Sequence, residues 1–110
     1  MAEEKQFENK IKRYLKYNGC YCVKYHGNRF STSGTPDILA CVPPDGRFLG
    51  IEVKAQNGKP SELQLVKAEA IRKAGGFAYV VYPSGWERLK DIIDGLLIDK
   101  FNREEDVILK

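Results

Sequence analysis

The feature of the sequence that most constrains the fold is a pair of apolar segments that flank a short turn. Residues 38–42 and 47–53 are rich in aliphatic residues, as strands are, and the Pro-Pro-Asp-Gly sequence between them is typical of a turn. Three charged residues, Asp37, Glu52 and Lys54, lie in or next to these segments. Because burial of an unpaired charge is costly, these side chains need partners, which could be a metal ion, one another or a ligand.

The length of the turn decides whether the three charged side chains lie on one face of the hairpin. Residues directly opposite each other in an antiparallel pair share a face, and the faces alternate along each strand. A two-residue turn places Asp37 opposite Lys54, whereas a four-residue loop places Asp37 opposite Glu52, and in both registers the charges share a face. A three-residue loop would separate them unless a β-bulge corrected the register. Both permitted registers predict the same apolar core face, which consists of Ile38, Ala40, Val42, Leu49, Ile51 and Val53.

Two carboxylates and an amine on one face are suited to the hydrolysis of a phosphodiester. Carboxylates about 5 Å apart repel each other, and a divalent cation with oxygen ligands relieves that repulsion. Lys54 would reach the same point as Glu52 and could orient a water molecule or neutralise a phosphate. The alternative is a cross-strand salt bridge among Asp37, Glu52 and Lys54 with no metal. The spacing of the residues does not separate these two interpretations.

A known family shows a similar pattern of residues. Pro36-Asp37, followed by Glu52-Val53-Lys54, resembles the signature of the PD-(D/E)xK nuclease superfamily. Three further details resemble one branch, the small VRR-NUC domains that occur alone in phages or fused to larger repair nucleases. These details are Gly34 before the Pro-Asp pair, a helix that carries Glu8, and Ser61-Glu62-Leu63-Gln64 after the lysine. The similarity extends over residues 4–82.

The resemblance implies a DNA endonuclease that depends on Mg²⁺ or Mn²⁺. It implies that Lys54 acts on water or phosphate and that Gln64 lies near the attacking water or the scissile phosphate. The catalytic residues would be Glu8, Asp37, Glu52, Lys54 and Gln64, and the metal ligands would be Asp37, Glu52, the Val53 carbonyl and Glu8.

Two of these residues have alternative interpretations. Glu4, one helical turn before Glu8, is a rival for the helix carboxylate, and Glu8 could instead be an exposed residue that pairs with Lys12. Gln64 with Ser61 fits a capping box, in which each side chain bonds the backbone amide of the other residue, and this needs no chemistry. Both roles of Gln64 could hold if the start of its helix faces the site.

The basic residues are distributed unevenly along the chain. Residues 1–36 contain seven Lys or Arg and three Glu, a balance of +4, whereas residues 37–110 contain eleven basic and twelve acidic residues, a balance of −1. A basic segment beside an acidic site suits the binding of a polyanion, although it could also be a solvated helix face. The residues predicted to contact DNA are Lys24, Arg29, Lys59 and Lys67.

The periodicity of the sequence predicts an α/β fold in a single domain, residues 1–110. We expect a restriction-endonuclease-like core, a mixed four-stranded sheet flanked by helices in the order α-β-β-β-α-β-α. A right-handed crossover would make the fourth strand parallel to the strand of Glu52. The helices are predicted at 5–18, 61–74 and 86–98, with Ser84 as the cap of the last one, and the outer strands at 20–26 and 77–82.

Partners and location follow as expectations. We find no apolar run of membrane-spanning length and no signal-peptide pattern, so we expect an intracellular protein, cytoplasmic in a bacterial host if it is phage-derived. We expect structure-selective cutting of branched DNA such as junctions (a Holliday junction, for example) or flaps, or of single strands. Cutting two strands needs two sites and hence a homodimer. The tail, residues 100–110, ends in the apolar Val107-Ile108-Leu109, which could pair with another copy or fray.

Two other functions compete with this one. The chain could be a non-catalytic DNA-binding module that has a nuclease-like fold, although the presence of all three charged residues weighs against it. It could also be a nuclease that acts on RNA.

Overall fold

The two apolar segments form a hairpin within a five-stranded mixed sheet. The computed structural model describes residues 2–26, 34–100 and 103–110. The helices are α1 (Ala2–Tyr17), α2 (Glu62–Lys73) and α3 (Trp86–Leu97), and the strands are β1 (Tyr21–Lys24), β2 (Ile38–Val42), β3 (Arg47–Val53), β4 (Phe77–Val81) and β5 (Ile108–Leu109). The predicted α/β class and the sequence of its first seven elements are confirmed. No helix in these described ranges is long and apolar enough to cross a bilayer.

The strands lie side by side in chain order, from β1 to β5. Strand β2 is antiparallel to both β1 and β3, whereas β4 runs parallel to β3, as the crossover rule predicts. Val42 lies opposite Arg47 and Ile38 lies opposite Ile51, so the hairpin has the four-residue loop rather than the two-residue turn. Continuing this register by one residue places Asp37 opposite Glu52, which puts both carboxylates on the same face of the sheet.

The fifth strand corrects the prediction of four strands. The end of the tail is paired within its own chain and is not frayed, because Ile108 and Leu109 form a parallel strand beside β4. The Tyr82 N–H donates to the Leu109 carbonyl at 3.0 Å, and the Leu109 side chain is fully buried. Burial of this leucine and the added backbone hydrogen bonds explain why the end of the tail completes the sheet.

The apolar core lies between one face of the sheet and helices α1 and α3. Buried residues of both helices pack on the predicted core face of the hairpin and on β4, and they include Phe7, Ile11, Leu15, Leu89, Ile93 and Leu96. Helix α2 covers the opposite face and contacts β3 and β4. At Gly50 a Cβ atom would lie 3.0 Å from Pro36 and 3.3 Å from Ile71, so the absence of a side chain permits this close approach. The face that carries Glu52 is therefore bordered by α2.

The two later helices begin in different ways. The predicted capping box at Ser61 and Gln64 is confirmed, with both reciprocal hydrogen bonds formed. The predicted Ser84 cap of α3 is wrong, because a turn of 3₁₀ helix at Pro83–Gly85 leads directly into α3, and no side chain of the described residues caps it. The Ser84 hydroxyl instead accepts a hydrogen bond from the Gln56 side-chain amide at 3.0 Å.

Candidate functional site

Asp37 is held in place by one backbone group of β3 and by one that directly follows β1. It lies directly before β2, and its Oδ2 accepts a hydrogen bond from the Val53 N–H at 3.0 Å. Its carbonyl oxygen accepts one from the Tyr25 N–H at 2.7 Å. These two contacts join the start of β2 to β1 and β3, so the position of the Asp37 carboxylate is fixed by the sheet itself.

Glu52 is a buried carboxylate that lacks a complete set of partners. It is 5% exposed, and its Oε2 accepts a hydrogen bond from the Gln64 side-chain amide at 3.1 Å and lies 3.7 Å from the Lys54 Nζ. Its Oε1 is buried, and no donor for this atom is found among the residues that the structure describes. Because buried polar atoms normally have partners, this oxygen marks a place where a proton or a cation would be stabilised.

The pKa of Glu52 also indicates that this carboxylate has too little positive charge near it. Burial raises the pKa of Glu52 to about 8, with the negative charge of Asp37 as the second cause. The positive charges of Lys54 and Lys24 oppose the shift but do not cancel it. A cation bound at the pair could therefore replace the proton.

Glu8 lies in a second cluster of charges, which is linked to Asp37 by a lysine. The Lys24 Nζ is 3.0 Å from the Glu8 Oε1 and 3.3 Å from the Asp37 Oδ1. Lys5 and Lys12 lie 3.5 and 3.3 Å from the Glu8 Oε2. Burial of Glu8 favours its neutral form, but the lysines outweigh this effect and the pKa of Glu8 is lowered. Glu8 is thus a buried carboxylate in which each oxygen lies close to at least one lysine ammonium group.

These contacts bear on the alternatives for the helix carboxylate. Glu8, and not Glu4, is buried and joined to Asp37 through Lys24. The pair with Lys12 is formed as well, but Glu8 is only 4% exposed and does not lie on an open helix face. The Lys24 ammonium group lies between Glu8 and Asp37, so these two carboxylates are joined through a lysine.

The donor set fits a hydrated Mg²⁺ or Mn²⁺ ion better than an ion fully enclosed by protein. Within the described ranges, no three Asp, Glu, His or Cys side chains form a group that could hold a metal. The oxygen donors at the hairpin are the carboxylates of Asp37 and Glu52, to which a carbonyl such as that of Val53 could be added. Mg²⁺ prefers oxygen ligands and usually keeps several waters, so two carboxylates are a suitable protein contribution.

Gln64 completes the capping box and also contacts the candidate site. Its Oε1 accepts from the Ser61 N–H at 2.9 Å, and its own N–H donates to the Ser61 Oγ at 3.1 Å, which completes the capping box. Its Nε2 donates to Glu52, as described above. The first turn of α2 therefore lies against the buried carboxylate.

The residues predicted to contact DNA have different environments. Lys24 is part of the charge cluster with Glu8 and Asp37, whereas Lys59 is exposed in the segment between β3 and α2. Lys67 lines a shallow groove on the α2 face with Thr35, Pro36, Leu39, Phe48, Ala70 and Ile71. Arg29 lies outside the described residues.

Sequence reasoning missed the lysine cluster around Glu8 and one tight contact beside the site. Lys5 stands three residues before Glu8, which is a spacing that signals an ion pair on a helix. Gly34 has a φ of +83° and approaches the start of α2 so closely that a Cβ would lie 2.8 Å from the Leu63 carbonyl oxygen. The glycine that resembles the family pattern is thus required by both backbone conformation and space.

Comparisons with known proteins agree with this fold. The model of the VRR-NUC domain family matches residues 4–84. A solved structure described as a VRR_NUC domain superposes with a TM-score of 0.66 at 25% sequence identity, and the match covers 84% of this chain and 95% of that chain. No curated protein matches the sequence significantly. The chain therefore belongs to the VRR-NUC family, a nuclease-type family of DNA-acting domains.

Proposed function

We propose that the chain is a DNA endonuclease that depends on Mg²⁺ or Mn²⁺ and acts at Asp37, Glu52 and Lys54. The observation that carries the proposal is the buried Glu52 Oε1, which has no donor among the described residues and belongs to a carboxylate opposite Asp37 and beside Lys54. Membership of the VRR-NUC family supports a nuclease-type function.

Each residue of the site has a separate task in this proposal. Asp37 and Glu52, with the Val53 carbonyl, would hold the metal ion. When bound, such an ion stabilises negative charge on the phosphate and increases the acidity of a water molecule. Lys54, whose side chain is 16% exposed, would orient the attacking water or pair with the phosphate.

The surrounding groups position the carboxylates. The Gln64 amide holds one oxygen of Glu52 and leaves the other free to accept a cation. Lys24 is held by Glu8 and contacts Asp37, so it restricts the orientation of that carboxylate. In this arrangement Glu8 acts through Lys24 unless the ammonium group moves away when a metal binds.

The finer features of the activity are part of the same proposal. The substrate would be branched DNA, such as a junction or a flap, and two copies of the chain would act together when both strands are cut, because simultaneous cuts need two sites.

Cleavage of branched and linear DNA by the pure protein with Mn²⁺ or Mg²⁺ tests the proposal. We expect Asp37→Asn and Lys54→Met to reduce the rate at least about a hundredfold, as loss of charge stabilisation at a phosphoryl group does. Glu69→Gln and Lys73→Met, at exposed positions of α2, are the matched controls and should cut normally. Cleavage that survives both site substitutions would refute the assignment.

The ion pairs of the site favour a second candidate, a DNA-binding module without catalysis. Lys24 and Lys54 lie within 4 Å of Asp37 and Glu52, so these lysines could balance the carboxylates without a metal. This candidate predicts that DNA binding persists while no metal ion supports cleavage. Cleavage of an RNA substrate in the same assay would distinguish a ribonuclease from the DNA endonuclease and from the DNA-binding module.

A further inference from the structure

A shallow groove lies along α1 on the flank opposite Glu8. Six of the described residues line it, and we call it the aromatic groove: Lys10, Arg13, Tyr14, Lys16, Tyr17 and Trp86. At 100° per residue, Lys10, Arg13 and Tyr17 lie roughly 140–180° around the helix from Glu8. The aromatic groove is thus separate from the charged site at the hairpin.

The floor of the aromatic groove consists of aromatic rings in fixed positions. The Trp86 ring makes edge contacts with Tyr14, at 5.3 Å between centroids and 87° between planes, and with Phe7, at 6.3 Å and 86°. These contacts hold the indole in place and leave a face that is covered by the Lys10 ammonium, 5.0 Å from the ring centroid. Tyr17 is 89% exposed at the rim.

The charged residues that line the aromatic groove are positive. Three of the six lining residues are cations, and no carboxylate is among them. The nearby Asp94 accepts a hydrogen bond from the Tyr14 hydroxyl, and Asp91 also acts on this hydroxyl through its charge. The surface therefore combines a nearly apolar aromatic floor with a cationic rim, a combination that is complementary to a chain of flat bases joined by phosphates.

We propose that the aromatic groove binds a single-stranded segment of nucleic acid. Bases would stack on Trp86 and Tyr17, and phosphates would pair with Lys10, Arg13 and Lys16. Lys10 would leave the indole face, because base stacking on an aromatic ring is stronger than an exposed cation–π contact, and its ammonium would then be available to a phosphate. An acidic peptide would use the cations but would leave the rings uncovered, so the rings favour the nucleic acid. The inference goes beyond the proposed nuclease function, because it requires neither a metal nor cleavage.

Trp86 makes a direct test possible, because it is the single tryptophan of the sequence. The full chain is titrated with an oligodeoxythymidine in the presence of a chelator, and the tryptophan fluorescence is recorded. We expect saturable quenching that weakens as the salt concentration rises. Tyr17→Ala and Arg13→Glu should each weaken binding about tenfold, the effect expected from loss of one stacked base or reversal of one phosphate contact.

Matched variants control for general effects of charge and exposed aromatic surface. Tyr21→Ala removes another exposed tyrosine, 73% exposed on β1, and Lys73→Glu reverses an exposed charge at the end of α2. Both should bind the oligonucleotide like the unmodified chain. Because all four substitutions are at exposed positions, unchanged melting temperatures would verify that the variants fold.

Four results would overturn the inference. They are the absence of quenching, unchanged affinity in both Tyr17→Ala and Arg13→Glu, equal quenching by an acidic polyglutamate peptide, and equal binding of a blunt DNA duplex. Asp37→Asn, titrated in parallel, should show normal quenching. That result separates the aromatic groove from the nuclease site, so failure of one proposal leaves the other intact.

Discussion

At the scale of the residue, Glu52 determines the behaviour of the candidate site. Its buried Oε1 and its raised pKa have the same physical origin, the desolvation of a carboxylate next to a second carboxylate. The sequence predicted that Asp37 and Glu52 would meet, because strand alternation places them on one face. It did not predict that Lys24 would join Asp37 to Glu8, because this contact links three segments that are distant in sequence.

Stability of the metal-free protein should decrease as the pH rises from about 5 to about 8. The pKa of Glu52 rises from 4.5 to about 8 on folding, so the folded state binds more protons than the unfolded state across this interval. The contribution is fully present below the unfolded pKa and is lost as the pH passes the folded one. Thermal denaturation with a chelator at several pH values measures the slope.

Glu52→Gln should remove this slope and stabilise the metal-free protein by roughly 1–3 kcal/mol at pH 9, because the amide cannot ionise. Glu62→Gln, at an exposed position on α2, should leave the slope in place. An identical pH dependence in Glu52→Gln and the unmodified chain would show that another group titrates.

At the scale of the element, the first turn of α2 serves both the helix and the site. The capping box was predictable because it is local, with Ser61 and Gln64 three residues apart. The contact of Gln64 with Glu52 depends on how α2 lies across the sheet, so it could not be predicted from the sequence. The cap of α3 was not predictable from Ser84, because the hydroxyl is bound by Gln56 from a distant loop.

Substitutions in the capping box should separate its two roles. Ser61→Ala loses a cap and should cost about 1 kcal/mol of stability while cleavage continues at near the normal rate below the melting range. Gln64→Ala loses part of the cap and the contact with Glu52, so we also expect a rate reduction of about tenfold, as for a lost hydrogen bond to a charged group. Urea denaturation and cleavage assays on both variants measure the two effects. Equal losses of rate would show that the contact with Glu52 is not needed.

The two-residue strand β5 was not predictable, because so short a segment has no measurable periodicity. Leu109→Ala should destabilise the protein by about 2–4 kcal/mol, since the side chain is fully buried, whereas Ile108→Ala, at a 36% exposed position, should cost less than about 1 kcal/mol. Chemical denaturation of both variants tests the comparison. Similar values for the two would indicate that the tail is not docked on β4 in solution.

At the scale of the whole molecule, the hairpin and the crossover were sufficient to predict the relative directions of β2, β3 and β4, whereas the pairing of β1 with β2 was not predicted. The sequence predicted which residues of the hairpin share a face. It did not predict whether the loop has two or four residues, because both loops place the same residues on each face. Gly85 shows how distant parts of the chain constrain each other. A Cβ there would lie 2.2 Å from the Leu109 carbonyl oxygen, so the turn before α3 and the docked tail require a glycine at this position.

The proposed cooperation of two copies also belongs to this scale. If both strands of a junction are cut by two chains, adding an excess of Asp37→Asn should reduce double cuts much more than single nicks, because mixed pairs retain one active site. Gel analysis of a labelled junction measures both products. The same excess of Glu69→Gln, which keeps the site, should leave the ratio unchanged. Equal inhibition of both products by Asp37→Asn would contradict cooperation between copies.

One side-chain amide connects the folding of α2 with the order of Glu52. When the first turn of α2 frays, the Gln64 amide leaves the carboxylate, and the oxygen it held becomes free to rotate. Glu52 would then no longer be held in one orientation, although the rest of the chain would still be folded. On gentle heating we therefore expect metal affinity to decline several degrees before the cooperative melting of the sheet.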